Sequence, residues 1–362
     1  MHLMFWKSPS QDEGHASASN KKKNYKYSQH DVLGKGGYSV VYKATWNGQD
    51  SSKPSDAMPQ PTTQVVALKV VPKTMIQHKE PYLAVLRLEQ DMVHPNVLCL
   101  LDFFESTNKY YLAFELAAGG DLFDRLAHHP YTEDQGRRVM AQMLDAVQYC
   151  HKMGMVHRDI KPENWLFRHQ DSAEGPLLSD FGVARVLDDP NEKEQLYEVC
   201  GTPGYAAPEV FQRRGYNRKC DVFSCGVVGY ALLTAWSPWT AEDAAGLIRE
   251  STNERITFSG SNWRGISDEA KDFLSLLMKA DPAQRPSVQE ALAHPWIQQQ
   301  KKQPPTGAQP RDIPQHAKNA DAAAAEGGRS ITRNMPTLSH HRPGDPLVRR
   351  LTAQSKDGLD GV

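Results

Sequence analysis

The run Val156-His157-Arg158-Asp159-Ile160-Lys161-Pro162-Glu163-Asn164, followed 16 residues after Asn164 by Asp180-Phe181-Gly182, constrains this chain more than any other feature. It brings a carboxylate, cations and an amide into one short stretch, with a second carboxylate a little further on. Such a set suits chemistry on a polyphosphate. That chemistry requires a carboxylate to orient and deprotonate a hydroxyl, a cation near the terminal phosphate, and hard oxygen ligands for magnesium. Asp159, Lys161, and the pair Asn164 and Asp180 can supply these in turn.

Two upstream features fit the same chemistry, though each is weak alone. The cluster Gly34-Lys35-Gly36-Gly37-Tyr38-Ser39 lets backbone amides approach phosphate oxygens, but glycines also make plain tight turns. A dinucleotide-binding loop would run from a strand into a helix. Here Val40-Val41-Tyr42 reads as a second strand, and Ser39 stands where a third glycine would be, so a nucleotide-dependent oxidoreductase is disfavoured. Lys69 lies in Ala67-Leu68-Lys69 on the apolar β-type run Gln64 to Val71. A lysine among core-type neighbours needs a partner for its charge, and phosphate is suitable; an edge-strand lysine facing water is the other reading.

The pattern along the chain divides near residue 118. Before it come strand-like runs, including Val97 to Phe104 and Tyr110 to Leu116, with helical spacing from Pro81 to Val93. After it helical patterns dominate, such as Glu133 to His151 and Ser267 to Met278. Residues 47–64, with Pro54, Pro59 and Pro61, read as a hairpin loop. Residues 1–26 read as a flexible arm carrying Lys21, Lys22 and Lys23. Residues 298–362 contain no Phe, Trp or Tyr and cannot build a packed core, so they read as a disordered tail.

Together the motifs resemble a eukaryotic protein kinase over residues 27 to 297. The resemblance implies an α+β, two-lobed fold: a small antiparallel β lobe with one helix (27–117) and a larger, mainly helical lobe (118–297), with ATP and Mg2+ in the cleft between them. It implies that Leu33, Gly34, Lys35, Gly36, Gly37, Tyr38, Ser39 and Val41 cover the nucleotide and that Lys69 contacts its α- and β-phosphates. Phe114 would be the gatekeeper, and Glu115 to Ala117 the hinge that holds the adenine. Asp159 would be the catalytic base, assisted by Lys161, with Asn164 and Asp180 as magnesium ligands. Glu209 of Ala207-Pro208-Glu209 would pair with Arg285, and Asp221 would brace the catalytic loop.

Lys161 and Gly201-Thr202-Pro203-Gly204-Tyr205 resemble the serine/threonine branch. Within it, Tyr111 to Arg125, Ser267 to Phe273 and His294-Pro295-Trp296-Ile297 are similar to the calcium/calmodulin-dependent group, fungal members above all. The resemblance implies protein substrates with basic residues before the Ser or Thr, selected by Asp121 and Glu163. A pseudokinase that binds nucleotide without transferring phosphate is the alternative, but Lys69, Asp159 and Asp180 are all present.

Three positions depart from that pattern. The helix glutamate expected to pair with Lys69 falls, by spacing from His94-Pro95-Asn96, at Val85; Glu89 and Glu80 are the candidates, and no working pair is the third option. Glu198 stands two residues before Cys200-Gly201-Thr202, where related kinases carry a phosphorylatable threonine. Its carboxylate could pair with Arg158, or simply face solvent on a loop. Calmodulin is the partner the resemblance suggests, yet the tail's basic residues are scattered among Pro and Gly without bulky aromatic anchors. Arg349-Arg350-Leu351-Thr352 does resemble a basophilic substrate, with Thr352 as a candidate autophosphorylation site.

Net charge is −1, so no global attraction to nucleic acid or to a membrane surface is expected. No run of 18 or more apolar residues suggests a membrane span. Five cysteines without a close C-x-x-C pair read as reduced thiols. The expected place is the cytoplasm, with the nucleus as a second location.

Overall fold

The computed structural model describes residues 24–47, 64–128, 131–170, 175–187, 194–253, 256–299 and 329–330. The expected arm, apart from its last residues, and most of the expected hairpin loop and tail lie outside them, as does Thr352. The chain forms two compact units. One draws on residues up to Gln77 together with Leu100–Leu116; the other comprises His78–Cys99 and the chain from Ala117 onward.

The first unit is a six-stranded antiparallel sheet of β1 (Tyr25–Lys26), β2 (Val32–Lys35), β3 (Val40–Trp46), β4 (Gln64–Pro72), β5 (Leu100–Glu105) and β6 (Lys109–Glu115). Its order is β1-β3-β4-β6-β5, with β2 also paired to β3. Period-2 alternation on β4 buries Val66, Leu68 and Val70 on one face, where they join Ala44, Tyr111 and Ala113. Tyr25, Phe104 and Tyr111 stack along that face at centroid spacings of 5.2 and 4.9 Å. Lys69 therefore belongs to the other face, in a cross-strand row with Val41 and Leu112.

The second unit contains α1 (Lys79–Asp91), α2 (Leu122–His128), α3 (Glu133–Lys152), α4 (Pro208–Gln212), α5 (Lys219–Thr234), α6 (Ala244–Asn253), α7 (Asp268–Leu277), α8 (Val288–Leu292) and α9 (Pro295–Gln298). Between them run short strands β7 (Met155–Val156), β8 (Trp165–Leu166), β9 (Leu177–Leu178), β10 (Arg185–Val186) and β11 (Trp236–Ser237), and β12 (Arg329–Ser330) follows the last helix. Helix α5 is apolar all round and buried along nearly its whole length, as a central core helix must be. Thr132 and Gln135 close a capping box at the start of α3. Next to it, Glu133 accepts hydrogen bonds from Ser267 N and Trp296 Nε1, tying α3 to α7 and α9.

Helix α1 falls within the His78–Cys99 stretch of the second unit. Val85 and Met92 belong to the second unit's core, and α1 packs on β10. The tail contributes one described element, β12, which pairs antiparallel with β11. All five cysteines are free thiols. Among the described residues no helix is long and apolar enough to cross a membrane.

Candidate active site

Two small antiparallel pairings set the geometry. The chain leaves β7, runs through His157 to Asn164 and enters β8; later it leaves β9, passes Asp180-Phe181-Gly182 and enters β10. β7 pairs with β10 and β8 with β9, so the two loops are pinned side by side at both ends. Ser179 adds to this, its N and Oγ both donating to Asn164 O at 2.9 Å. Asn164 and the neighbour of Asp180 are thereby joined directly.

Asp159 sits at the centre. Its Oδ2 lies 2.9 Å from Lys161 Nζ, and its Oδ1 accepts the Thr202 hydroxyl at 2.6 Å. Lys161 Nζ also donates to Thr202 Oγ1 at 2.9 Å, which closes a triangle of carboxylate, ammonium and hydroxyl. Burial opposes the charged form of Lys161, but the adjacent Asp159 outweighs it and raises the ammonium's pKa, so Lys161 stays a cation. Asn164 donates from Nδ2 to Asp159 O at 2.7 Å, which leaves its side-chain carbonyl oxygen as the atom a hard cation takes.

The loop's backbone is strained and held from below. Arg158 and Asp180 adopt left-handed conformations, with φ of 70° and 63°, a cost that persists only where surrounding bonds enforce it. Asp221, 1% exposed, enforces it at Arg158 by accepting from His157 N at 2.9 Å and Arg158 N at 2.8 Å. His151 Nε2 donates to the same carboxylate at 2.8 Å. Burial works against ionisation of Asp221, yet the His151 bond, nearby imidazoles and the Arg158 amide together hold its carboxyl below the usual range. The His157 ring bonds Ser179 O from Nε2 at 3.0 Å and accepts Asp159 N on Nδ1 at 3.3 Å, bridging the two loops.

The remaining expectations divide by unit. Leu33, Gly34 and Lys35 lie on β2, and Val41 lies on β3. Gly36, Gly37, Tyr38 and Ser39 form the turn between them, closed by Gly36 N to Ser39 O at 2.9 Å. A strand follows the glycines, as the sequence reading required. Gly34, Val41, Lys69 and Leu112 line up across four strands of the first unit. Phe114 and Glu115 end β6, also in the first unit, and Ala117 belongs to the second. On α1, Glu89 is 3% exposed and shares the buried stripe of Tyr82, Val85 and Leu86, whereas Glu80 is exposed. Arg285 grips Glu209 through two parallel bonds of 2.6 and 3.0 Å.

Thr202, His157 and Arg185 were given no role in the sequence reading, although Thr202 was noted within its motif. Among the described residues no cluster of three or more His, Cys, Asp or Glu could hold a metal alone. Asn164 and Asp180 are hard-oxygen donors of the kind magnesium prefers, and would hold it together with oxygens of a bound phosphate group.

The fold and the groups gathered in the site, Asp159, Lys161 and Asn164 beside the Asp180 loop, are those of a phosphotransferase. The protein kinase domain model matches residues 27–297. The chain is 38% identical over 286 residues to a calcium/calmodulin-dependent protein kinase, cmkA, of Emericella nidulans, covering 78% of this chain and 64% of that protein. It is 38% identical over 287 residues to a calcium/calmodulin-dependent protein kinase type 1 of Caenorhabditis elegans, covering 79% and 78% respectively. A type I enzyme of Schizosaccharomyces pombe is 36% identical over 281 residues, covering 76% and 79%. The chain thus spans a little under two thirds of the first relative's length and more of the other two. This chain belongs to the protein kinase family, as a serine/threonine protein kinase similar to the calcium/calmodulin-dependent group.

Proposed function

We propose that the protein transfers the γ-phosphate of ATP to Ser and Thr hydroxyls that follow basic residues in protein substrates. The observation that carries the reading is the Asp159–Lys161–Thr202 triangle beside Asn164 and the Asp180 loop. Asp159 orients the substrate hydroxyl and accepts its proton, while Lys161 holds positive charge where the terminal phosphate's charge shifts. Asn164 and Asp180 would hold Mg2+, which would supply further charge neutralisation of the phosphates. Lys69, on the face of β4 away from the first unit's core, is read as the cation for the inner phosphates.

The basic preference rests on Glu163 and Asp121. Glu163 Oε2 is buried and has no hydrogen-bond partner among the described residues. Burial raises the Glu163 pKa, and the charges of Asp159 and Asp121 add to the rise against the opposing pull of Lys161. A buried carboxylate oxygen with no hydrogen-bond partner among the described residues suits an arriving guanidinium or ammonium. The tail's composition supports activity that does not depend on calcium–calmodulin.

A peptide-library phosphorylation assay, run with and without calcium–calmodulin, tests the whole reading. Transfer to peptides with Arg or Lys before Ser or Thr, lost in Asp159→Asn, is expected. No transfer by the wild-type protein under any condition would favour a nucleotide-binding module without catalysis.

A further inference from the structure

We propose that Glu198 is a built-in positioning residue: clamped by Arg158 and Arg185, it fixes the segment leading to Thr202, so phosphotransfer requires no prior phosphorylation of that segment. Arg158 Nη1 reaches Glu198 Oε2 at 3.2 Å, and Arg185 Nη2 reaches Oε1 at 3.3 Å. Arg158 is 2% exposed at its side chain, and a guanidinium so placed needs a counter-charge. The same side chain donates to Val183 O at 2.7 Å and to Tyr216 Oη at 2.9 Å. Tyr216 Oη in turn donates to Glu198 O at 2.6 Å, and Leu196 and Tyr216 exchange backbone hydrogen bonds of 2.8 and 2.9 Å.

The consequence for catalysis lies in the order of residues. Arg158 and Asp159 are adjacent, and they hold two points of one short segment: Arg158 holds Glu198, and Asp159 holds Thr202. Misplacing Glu198 therefore disturbs the base itself, through its neighbour and through Thr202. Arg185 and Val183 follow Asp180-Phe181-Gly182, so the clamp also ties that loop into the same cluster.

The segment offers no conventional alternative. From Gly182 to Tyr205 the only hydroxyl side chains are Tyr197, Thr202 and Tyr205. Thr202 and Tyr205 are buried, and Thr202 is part of the triangle at Asp159. Tyr197 alone is exposed, its hydroxyl bonded to Gln195 rather than to an arginine. A Ser or Thr that an upstream kinase could modify is therefore missing, and a permanent carboxylate occupies the arginine pair. One carboxylate against two guanidiniums leaves the cluster net positive, so truncating it sets like charges face to face.

The inference rests on the chain acting as a kinase, and its test includes a readout independent of turnover. The full-length protein is treated with phosphatase, shown by mass spectrometry to carry no phosphate between 182 and 205, and assayed on a serine peptide. Its initial rate is expected within about twofold of untreated protein. Glu198→Ala is expected to lower kcat about tenfold, the usual scale for a charge-assisted bond to a buried partner, with KM for ATP unchanged. Glu198→Asp recovers part of the loss, and Tyr197→Phe leaves kcat unchanged. Amide exchange at Leu196 to Cys200 is expected to quicken in the alanine variant whether or not phosphate is transferred. Glu198→Ala with wild-type kcat and wild-type exchange overturns the proposal, as does phosphatase-treated protein that regains activity only after the segment is phosphorylated.

Discussion

Thr202 donates its hydroxyl to Asp159 across 43 positions of sequence, at 2.6 Å, and accepts from Lys161 at 2.9 Å. The threonine therefore fixes the rotamer of the base and the position of the cation together. Thr202→Val keeps the shape and removes both bonds. Its kcat is expected to fall about tenfold, the scale of one hydrogen bond to a charged group, while KM for ATP stays near wild type. Thr202→Ser keeps the hydroxyl and is expected to stay within about threefold. Steady-state kinetics on one serine peptide separates them, and equal rates for valine and serine variants would deny the bond a part in catalysis.

Glu163 offers a prediction on specificity. Its partly buried carboxylate, with Oε2 lacking a protein partner, is expected to recognise substrate cations. Glu163→Gln is expected to raise KM about tenfold for peptides with Arg before the serine, as expected for loss of a charge-assisted bond, and to leave peptides without Arg unaffected. Burial raises this carboxyl's pKa, so it protonates at higher pH than an ordinary glutamate. The preference for Arg should accordingly fade as pH falls, earlier than simple carboxylate titration would suggest. An unchanged ratio of the two peptides in the variant would place the selectivity elsewhere.

Much of the site was legible because its chemistry is contiguous. Asp159, Lys161 and Asn164 lie within one short loop, so composition and spacing alone show what they can do. Thr202 was not assigned a role because its partner lies 43 positions away, and Arg185 was missed because nothing local marks an arginine on a short strand as half of a clamp. The sequence left Glu198 open between Arg158 and solvent; the structure pairs it with Arg158 at 3.2 Å. Spacing left Glu89 and Glu80 open. No working pair was the third alternative; in the structure Glu89 falls on the buried Tyr82-Val85-Leu86 stripe and Glu80 is exposed. Helix α1 was read from the helical spacing of Pro81 to Val93, and the structure forms it over Lys79–Asp91.

Asp221 governs a pH-dependent part of stability. Its folded-state pKa is held below the usual carboxylate value, so the group stabilises the fold above its unfolded pKa. That stabilisation is lost as pH falls through the lower, folded value, so it disappears on the acid side only. Asp221→Asn removes it and weakens the bonds to His157 N, Arg158 N and His151. The variant should be less stable by about 3 kcal/mol near neutral pH, the low end for breaking a buried charged network. Chemical denaturation of both proteins from neutral pH to pH 4 and below should show the gap narrowing toward acid. A constant gap would mean that Asp221 contributes shape and neutral hydrogen bonds alone.

Arg285 and Glu209 form the most enclosed ion pair of the second unit's described residues, at 0% and 5% side-chain exposure. The guanidinium also donates to the carbonyls of Lys279 and Lys219 and lies 5.0 Å over the Phe223 ring, so none of its charge reaches water. Removing one partner leaves the other as an unpaired buried charge, which costs about 3–5 kcal/mol. Arg285→Met and Glu209→Leu are each expected to destabilise the protein by that amount. The double substitution should cost clearly less than the sum, because it leaves no charge stranded. Thermal and denaturant unfolding of the four proteins measures the coupling directly. Strict additivity would show that the two side chains contribute independently, through packing rather than through their pairing.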